Sequence, residues 1–132
     1  MRILVVDDEK TVRRSCERIL AIEGHDVLSV PRGEEGLERL VREGFDVVLL
    51  DLMMPGMGGL ETLRLLRTMD GAIPVVVMTG YAKAEVEEEC RRLGATVWLP
   101  KPFGPDELLG AIARGLESSD PESLDPEGRT DA

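Results

Sequence analysis

Five polar positions stand out in this chain of 132 residues because each closely follows a short apolar run: Asp7 and Asp8, Asp51, Thr79 and Lys101. Three carboxylates, a hydroxyl and an ammonium are a compatible set if the fold brings them together. Carboxylates within a few ångströms repel. Each like-charge pair near 4 Å costs roughly 4 kcal/mol at an effective dielectric of about 20, so such a cluster calls for a cation. Oxygen ligation by two or three carboxylates suits Mg²⁺, which keeps waters and leaves places for phosphate oxygens. Lys101 adds positive charge and Thr79 a hydroxyl donor, while Gly80 lets a backbone N–H approach an anion closely. Asp51 is the candidate nucleophile, since carboxylates form acyl phosphates. The chemistry that fits is phosphoryl transfer, where positioning and charge neutralisation do most of the catalysis. Singly, each element has a plainer reading: an Asp pair as a helix N-cap, Thr79-Gly80 as a turn, Lys101-Pro102 as a surface loop. What favours the chemical reading is that four separate strand ends carry compatible groups.

The elements that must position them alternate. Apolar runs at Ile3–Val6, Val27–Val30, Val47–Leu50, Val75–Met78 and Thr96–Leu99 read as strands, several with no polar alternation, as in strands buried on both faces. Between them lie helical stripes: Val12, Cys16, Ile19 and Leu20, closed by Gly24; Leu37, Leu40 and Val41; Leu60, Leu63, Leu65 and Leu66; Val86, Cys90 and Leu93; Leu108, Leu109, Ile112 and Leu116. Five strand–helix units predict an α/β domain, a doubly wound parallel sheet with right-handed crossovers. In the strand order 2-1-3-4-5 the first and third strands are central neighbours. Asp7, Asp8 and Asp51 then converge at the edge where such sheets bind ligands, flanked by Thr79 and Lys101.

Composition narrows the rest. One domain fits the length, over residues 1–117. The apolar pattern stops at Ser118, and 118–132 holds five acids, two prolines and one arginine, so it reads as a disordered acidic tail. A net charge of −10 argues against nucleic acid as a partner of this domain. No run is long enough to span a bilayer and the start lacks a signal-peptide pattern, which makes a cytoplasmic location the expectation. Cys16 and Cys90 lie apart, outside any CxxC or Cys/His cluster, and read as small buried hydrophobes; His25 reads as a surface loop residue. Met53, Met54 and Met57 could suggest a soft-metal site, but a Pro/Gly loop beside Asp51 favours loop packing.

Four stretches carry a family resemblance: Ile3–Glu9, Asp51–Glu61, Val75–Tyr81 and Leu99–Phe103. Over about residues 1–117 the chain resembles the receiver domains of bacterial two-component response regulators, which have a flavodoxin-like fold. The resemblance implies Asp51 as phospho-acceptor, Mg²⁺ held directly by Asp8 and Asp51, through water by Asp7, and by the Met53 carbonyl, and phosphoryl oxygens held by Thr79 and Lys101. It further implies a cis Lys101–Pro102 peptide, and a switch coupling Thr79 to an aromatic that here is Trp98, where Tyr or Phe is commoner. Output would be read from the face of helix four, strand five and helix five. The implied donor is a sensor histidine kinase or a histidine phosphotransfer protein, docking near helix one and the site loops. The output protein is unspecified, and a phosphorylation-linked dimer is compatible with the reading. Met53 and Tyr81, both bulky, sit where the family tunes water attack, which predicts a long-lived phosphoryl group.

Such a domain promotes its own phosphorylation and hydrolysis but turns over no external substrate in the usual sense. Three other readings compete. A haloacid-dehalogenase-type phosphatase would need Asp-x-Asp after the first strand, and here Asp7 is followed two positions on by Glu9. A phosphorylation-independent interaction module fits poorly with an intact acidic set. A receiver fragment of a longer transcriptional regulator remains open.

Overall fold

The computed structural model describes residues 1–80, 83–95 and 97–119. The chain alternates β1 (Arg2–Val6), α1 (Lys10–Ile22), β2 (Asp26–Val30), α2 (Gly33–Arg42), β3 (Val47–Asp51), α3 (Gly59–Met69), β4 (Val75–Thr79), α4 (Ala84–Arg92), β5 (Val97–Pro100) and α5 (Pro105–Ser119). All pairings are parallel, in the order β2-β1-β3-β4-β5. The expected fold is the one observed.

The strand period of two divides the core. Leu4, Val6, Val48, Leu50, Val75 and Val77 meet Leu63 and Leu66 of α3 and Cys90 of α4, with Leu37 and Leu40 of α2 alongside. Ile3, Val5, Val47, Leu49, Val76 and Met78 meet Cys16 and Leu20 of α1 and Leu108, Ala111 and Ile112 of α5. β3 and β4 are buried at every position, as the unbroken apolar runs require. β2, on the outside of the sheet, is only partly buried. Each fully buried Leu or Val contributes about 1.5–3 kcal/mol of transfer free energy. Gly24 closes α1 at φ +86°, a conformation that strains any residue with a Cβ.

Several expectations shift. Val41 is 74% exposed and Leu65 39%, so neither belongs to its buried stripe. Each is one residue from a packed leucine, about 100° around the helix, which turns it toward solvent. Strand ends move by one residue; β5 spans Val97–Pro100, and Thr96 lies outside the described residues. α5 runs to Ser119, two residues into the segment assigned to the tail, because a formed helix extends by main-chain bonds without needing a further apolar residue. Residues 120–132 lie outside the described residues. Cys16 and Cys90 are fully buried free thiols. Burial, with a smaller push from Asp7, raises Cys16 to about 12; burial raises Cys90 to about 11, so both stay protonated. His25 lies in the turn before β2, its Nδ1 3.2 Å from the Met1 amino group. Of the methionines near Asp51, Met54 joins the core while Met53 is 68% exposed. Among the described residues no helix is long and apolar enough to cross a membrane.

Candidate functional site

The register of the central strands sets Val6 beside Leu50, so the residues that follow, Asp7 and Asp51, emerge side by side. Asp7, Asp8 and Asp51 each offer a carboxylate oxygen, all within 4.8 Å of one another. Asp7 is fully buried and Asp51 is 2% exposed, whereas Asp8 faces solvent. Lys101 reaches the cluster from the end of β5. Its Nζ is 2.8 Å from Asp7 Oδ2, 3.0 Å from Glu9 Oε1 and 3.4 Å from Asp51 Oδ2. Asp7 Oδ2 has no aligned hydrogen-bond donor, so the ammonium meets it as a charge and not along a lone pair.

Main-chain groups and Arg13 make up the rest of the shell. Asp7 Oδ1 accepts the Glu9 N–H at 2.8 Å, and the Asp7 carbonyl accepts from Arg13 at 2.8 Å. Asp51 Oδ1 accepts the Met53 N–H at 3.1 Å. The cap residue of α1 is Glu9, with no side-chain cap bond, so the Asp pair is not a helix N-cap. Thr79 ends β4, buried, and its carbonyl accepts the Lys101 N–H at 3.0 Å, which ties the hydroxyl-bearing residue to the lysine loop. Gly80 follows, exposed, and an added Cβ there would meet nothing within 4 Å, so no packing contact demands glycine. The Lys101–Pro102 peptide is cis.

Electrostatics mark Asp51. Burial first, then the charge of Asp7, push its carboxyl up to about 7, against the pull of the Met53 N–H and Lys101. For Lys101 burial opposes the charge, but the contacts to Asp7 and Glu9 and the charges of Asp7 and Asp51 outweigh it, and its pKa is raised. A buried carboxyl with a raised pKa beside a charged ammonium is an arrangement that marks a candidate functional site.

Trp98 lies on β5 against the α2–α3–α4 side of the core, partly exposed, and its indole Nε1 is buried without a hydrogen-bond partner. Tyr81 lies outside the described residues. Sequence reasoning misses Glu9: its ion pair with Lys101 joins residues 92 positions apart, and its place in the acidic triplet Asp7-Asp8-Glu9 is the available signal. A groove of about 370 Å³ opens beside Lys101, between Thr11, Val12 and Ser15 of α1 and the Pro102–Phe103 loop.

Comparison with known proteins bears on this geometry. Residues 3–113 match the family described as the response regulator receiver domain. The chain is 41% identical to the response regulator MprA of Mycobacterium leprae, over 92% of this chain and 54% of that protein. It is 34% identical to sporulation initiation phosphotransferase F of Bacillus subtilis, over 87% of this chain and 93% of that one. Among solved structures, a CheY-like receiver domain protein from Methanospirillum hungatei superposes with a TM-score of 0.85 at 32% identity, covering 92% of this chain and 97% of the other. The chain thus spans 54% of one longer curated relative, and 28% of another.

Proposed function

The chain belongs to the response-regulator receiver family, and from that premise we propose that Asp51 accepts a phosphoryl group from a phosphohistidine on a sensor kinase or phosphotransfer protein, in a Mg²⁺-dependent reaction. The observation that carries the reading is Asp51 itself: nearly fully buried, between two further carboxylates and 3.4 Å from an ammonium.

The donor set fits the metal. Asp7, Asp8 and Asp51 are hard oxygen ligands for Mg²⁺, with the Met53 carbonyl in the same loop, and the buried Asp7 Oδ2, which meets Lys101 as a charge, keeps lone pairs for a cation. Bound there, Mg²⁺ supplies the positive charge that offsets the carboxylate repulsion and neutralises phosphoryl oxygens. The Asp51 carboxylate bonds to phosphorus as the phosphorus–nitrogen bond to the donor imidazole breaks, leaving an acyl phosphate on Asp51. Lys101 and Thr79 hold the phosphoryl oxygens, and the Gly80 N–H faces them from the exposed bend. To do so Lys101 must exchange part of its pairing with Asp7 and Glu9 for the phosphoryl group. The groove along α1 gives the donor protein a route to the site.

Transmission runs through Thr79 and Trp98 to the face of α4, β5 and α5. The indole supports this role: its buried Nε1 has no hydrogen-bond partner among the described residues, so no such bond ties the ring to this position.

Intact-mass spectrometry after incubation with acetyl phosphate tests the reading. Wild type gains one phosphoryl group only with Mg²⁺, and Asp51→Asn gains none. A wild type that stays unmodified under all conditions overturns it.

A further inference from the structure

The loop that leaves Asp51 returns to it. Gly59, the first residue of α3, donates its N–H to the Leu52 carbonyl at 3.1 Å. A Cβ built on Gly59 would lie 2.2 Å from the Asp51 carbonyl oxygen, 2.5 Å from Leu52 Cα and 3.0 Å from the Asp51 carbonyl carbon. All three obstructing atoms are backbone, so no side chain can swing aside. The neighbouring Gly58 is different: its Cβ would come no closer than 4.0 Å to the Leu52 carbonyl oxygen. Only Gly59 is shaped by the acceptor's own main chain.

On the other flank the Leu52 N–H is bonded to the Met78 carbonyl at 3.1 Å, which fixes the same peptide to β4. The Asp51–Leu52 peptide is therefore held between the sheet and the first turn of α3. That turn is itself seated by Thr62, whose N–H and hydroxyl both donate to the Gly58 carbonyl, at 3.0 and 2.9 Å.

We propose that Gly59 is a positioning residue for Asp51: the absence of a side chain lets α3 press on the acceptor's peptide and set where its carboxylate stands relative to Asp7, Asp8 and Lys101. The inference rests on Asp51 being the phospho-acceptor. Relieving a methyl contact of this kind requires the Asp51–Leu52 peptide to move by about an ångström. Misplacement on that scale slows chemistry about 10²-fold, and outer-shell changes weaken metal binding about 10–100-fold.

The test compares the wild-type chain of residues 1–132 with Gly58→Ala, Gly59→Ala and Leu66→Ala, the last destabilising α3 from the core without touching this seat. Mg²⁺ affinity is read by isothermal titration calorimetry, and the phosphorylation rate constant is read at saturating acetyl phosphate. Gly59→Ala is expected to lose about 10–100-fold in both, while Gly58→Ala and Leu66→Ala stay within about twofold of wild type under folding conditions. Equal losses in Leu66→Ala and Gly59→Ala, or wild-type behaviour of Gly59→Ala, overturn the proposal. A wild type that binds Mg²⁺ but takes no phosphoryl group instead overturns the functional reading beneath it. Amide exchange in wild type keeps the idea exposed if Gly59→Ala does not fold. Gly59 and Leu52 N–H should open as one unit, with protection equal within about threefold, and a rapidly exchanging Gly59 beside a protected Leu52 sinks the clamp.

Discussion

Asp51 carries its proton at a pH where a free aspartate has long lost it, because burial and the charge of Asp7 both disfavour the ionised form. The consequence for stability has a definite sign. With the ordinary value at 3.8 and the folded value at about 7, the folded metal-free chain binds more protons than the unfolded one between those limits. This contribution is complete below about pH 4 and is lost as pH rises through 7. Urea midpoints of metal-free wild type should therefore decline from pH 4 to 7 by more than those of Asp51→Asn, whose amide cannot titrate; parallel profiles would remove Asp51 as the cause. The place of Asp51 in the acidic cluster was legible in the sequence, because a lone aspartate closing a wholly apolar strand has few structural reasons to be there. Its pKa was not, since that depends on how completely Asp7 and the sheet exclude water.

Among the helices, α3 and α4 depend on one side chain that nothing in the periodicity flagged. Arg67, half-buried near the end of α3, donates to the Leu93 carbonyl at the end of α4 and to the Ile73 and Asp70 carbonyls of the loop into β4. Burial lowers its pKa, with Asp70 partly restoring it, but a guanidinium remains charged. Arg67→Ala strips three carbonyls of a charged donor and should cost about 2–4 kcal/mol, seen as a lower urea midpoint with an unchanged slope. A change below the error of such measurements would mean that water replaces the guanidinium at no loss. Strand and helix existence was readable from the two periods, as Leu63 and Leu66 of α3 show. The clamp was not, because an arginine in an amphipathic helix looks the same whether it faces water or bridges two loops. Val41 and Leu65 mark the converse failure: an apolar residue beside a stripe counts toward it in sequence, yet one step of helix rotation puts it in solvent.

For the molecule as a whole, the order of the strands decides where chemistry can happen; the alternation of apolar runs with helical stripes was enough to read a doubly wound parallel sheet, whereas the order 2-1-3-4-5 rested on a fold rule and the family resemblance. Placing β1 beside β3 collects acids separated by more than forty residues, so metal binding and global stability become one quantity. Mg²⁺ at 100 times its dissociation constant should add about 2.7 kcal/mol and raise the thermal midpoint by about 10 °C in wild type, with a smaller shift in Asp51→Asn. Equal shifts in the two would place the ion elsewhere. The pairing of Lys101 with Glu9, 92 positions apart, carries a further meaning for the life of the chain. In any partly folded form that lacked β5, the acids of β1 and β3 would stand together without the Lys101 ammonium. Docking of β5 both completes the sheet and delivers the charge that balances the acids, so neither is finished without the other.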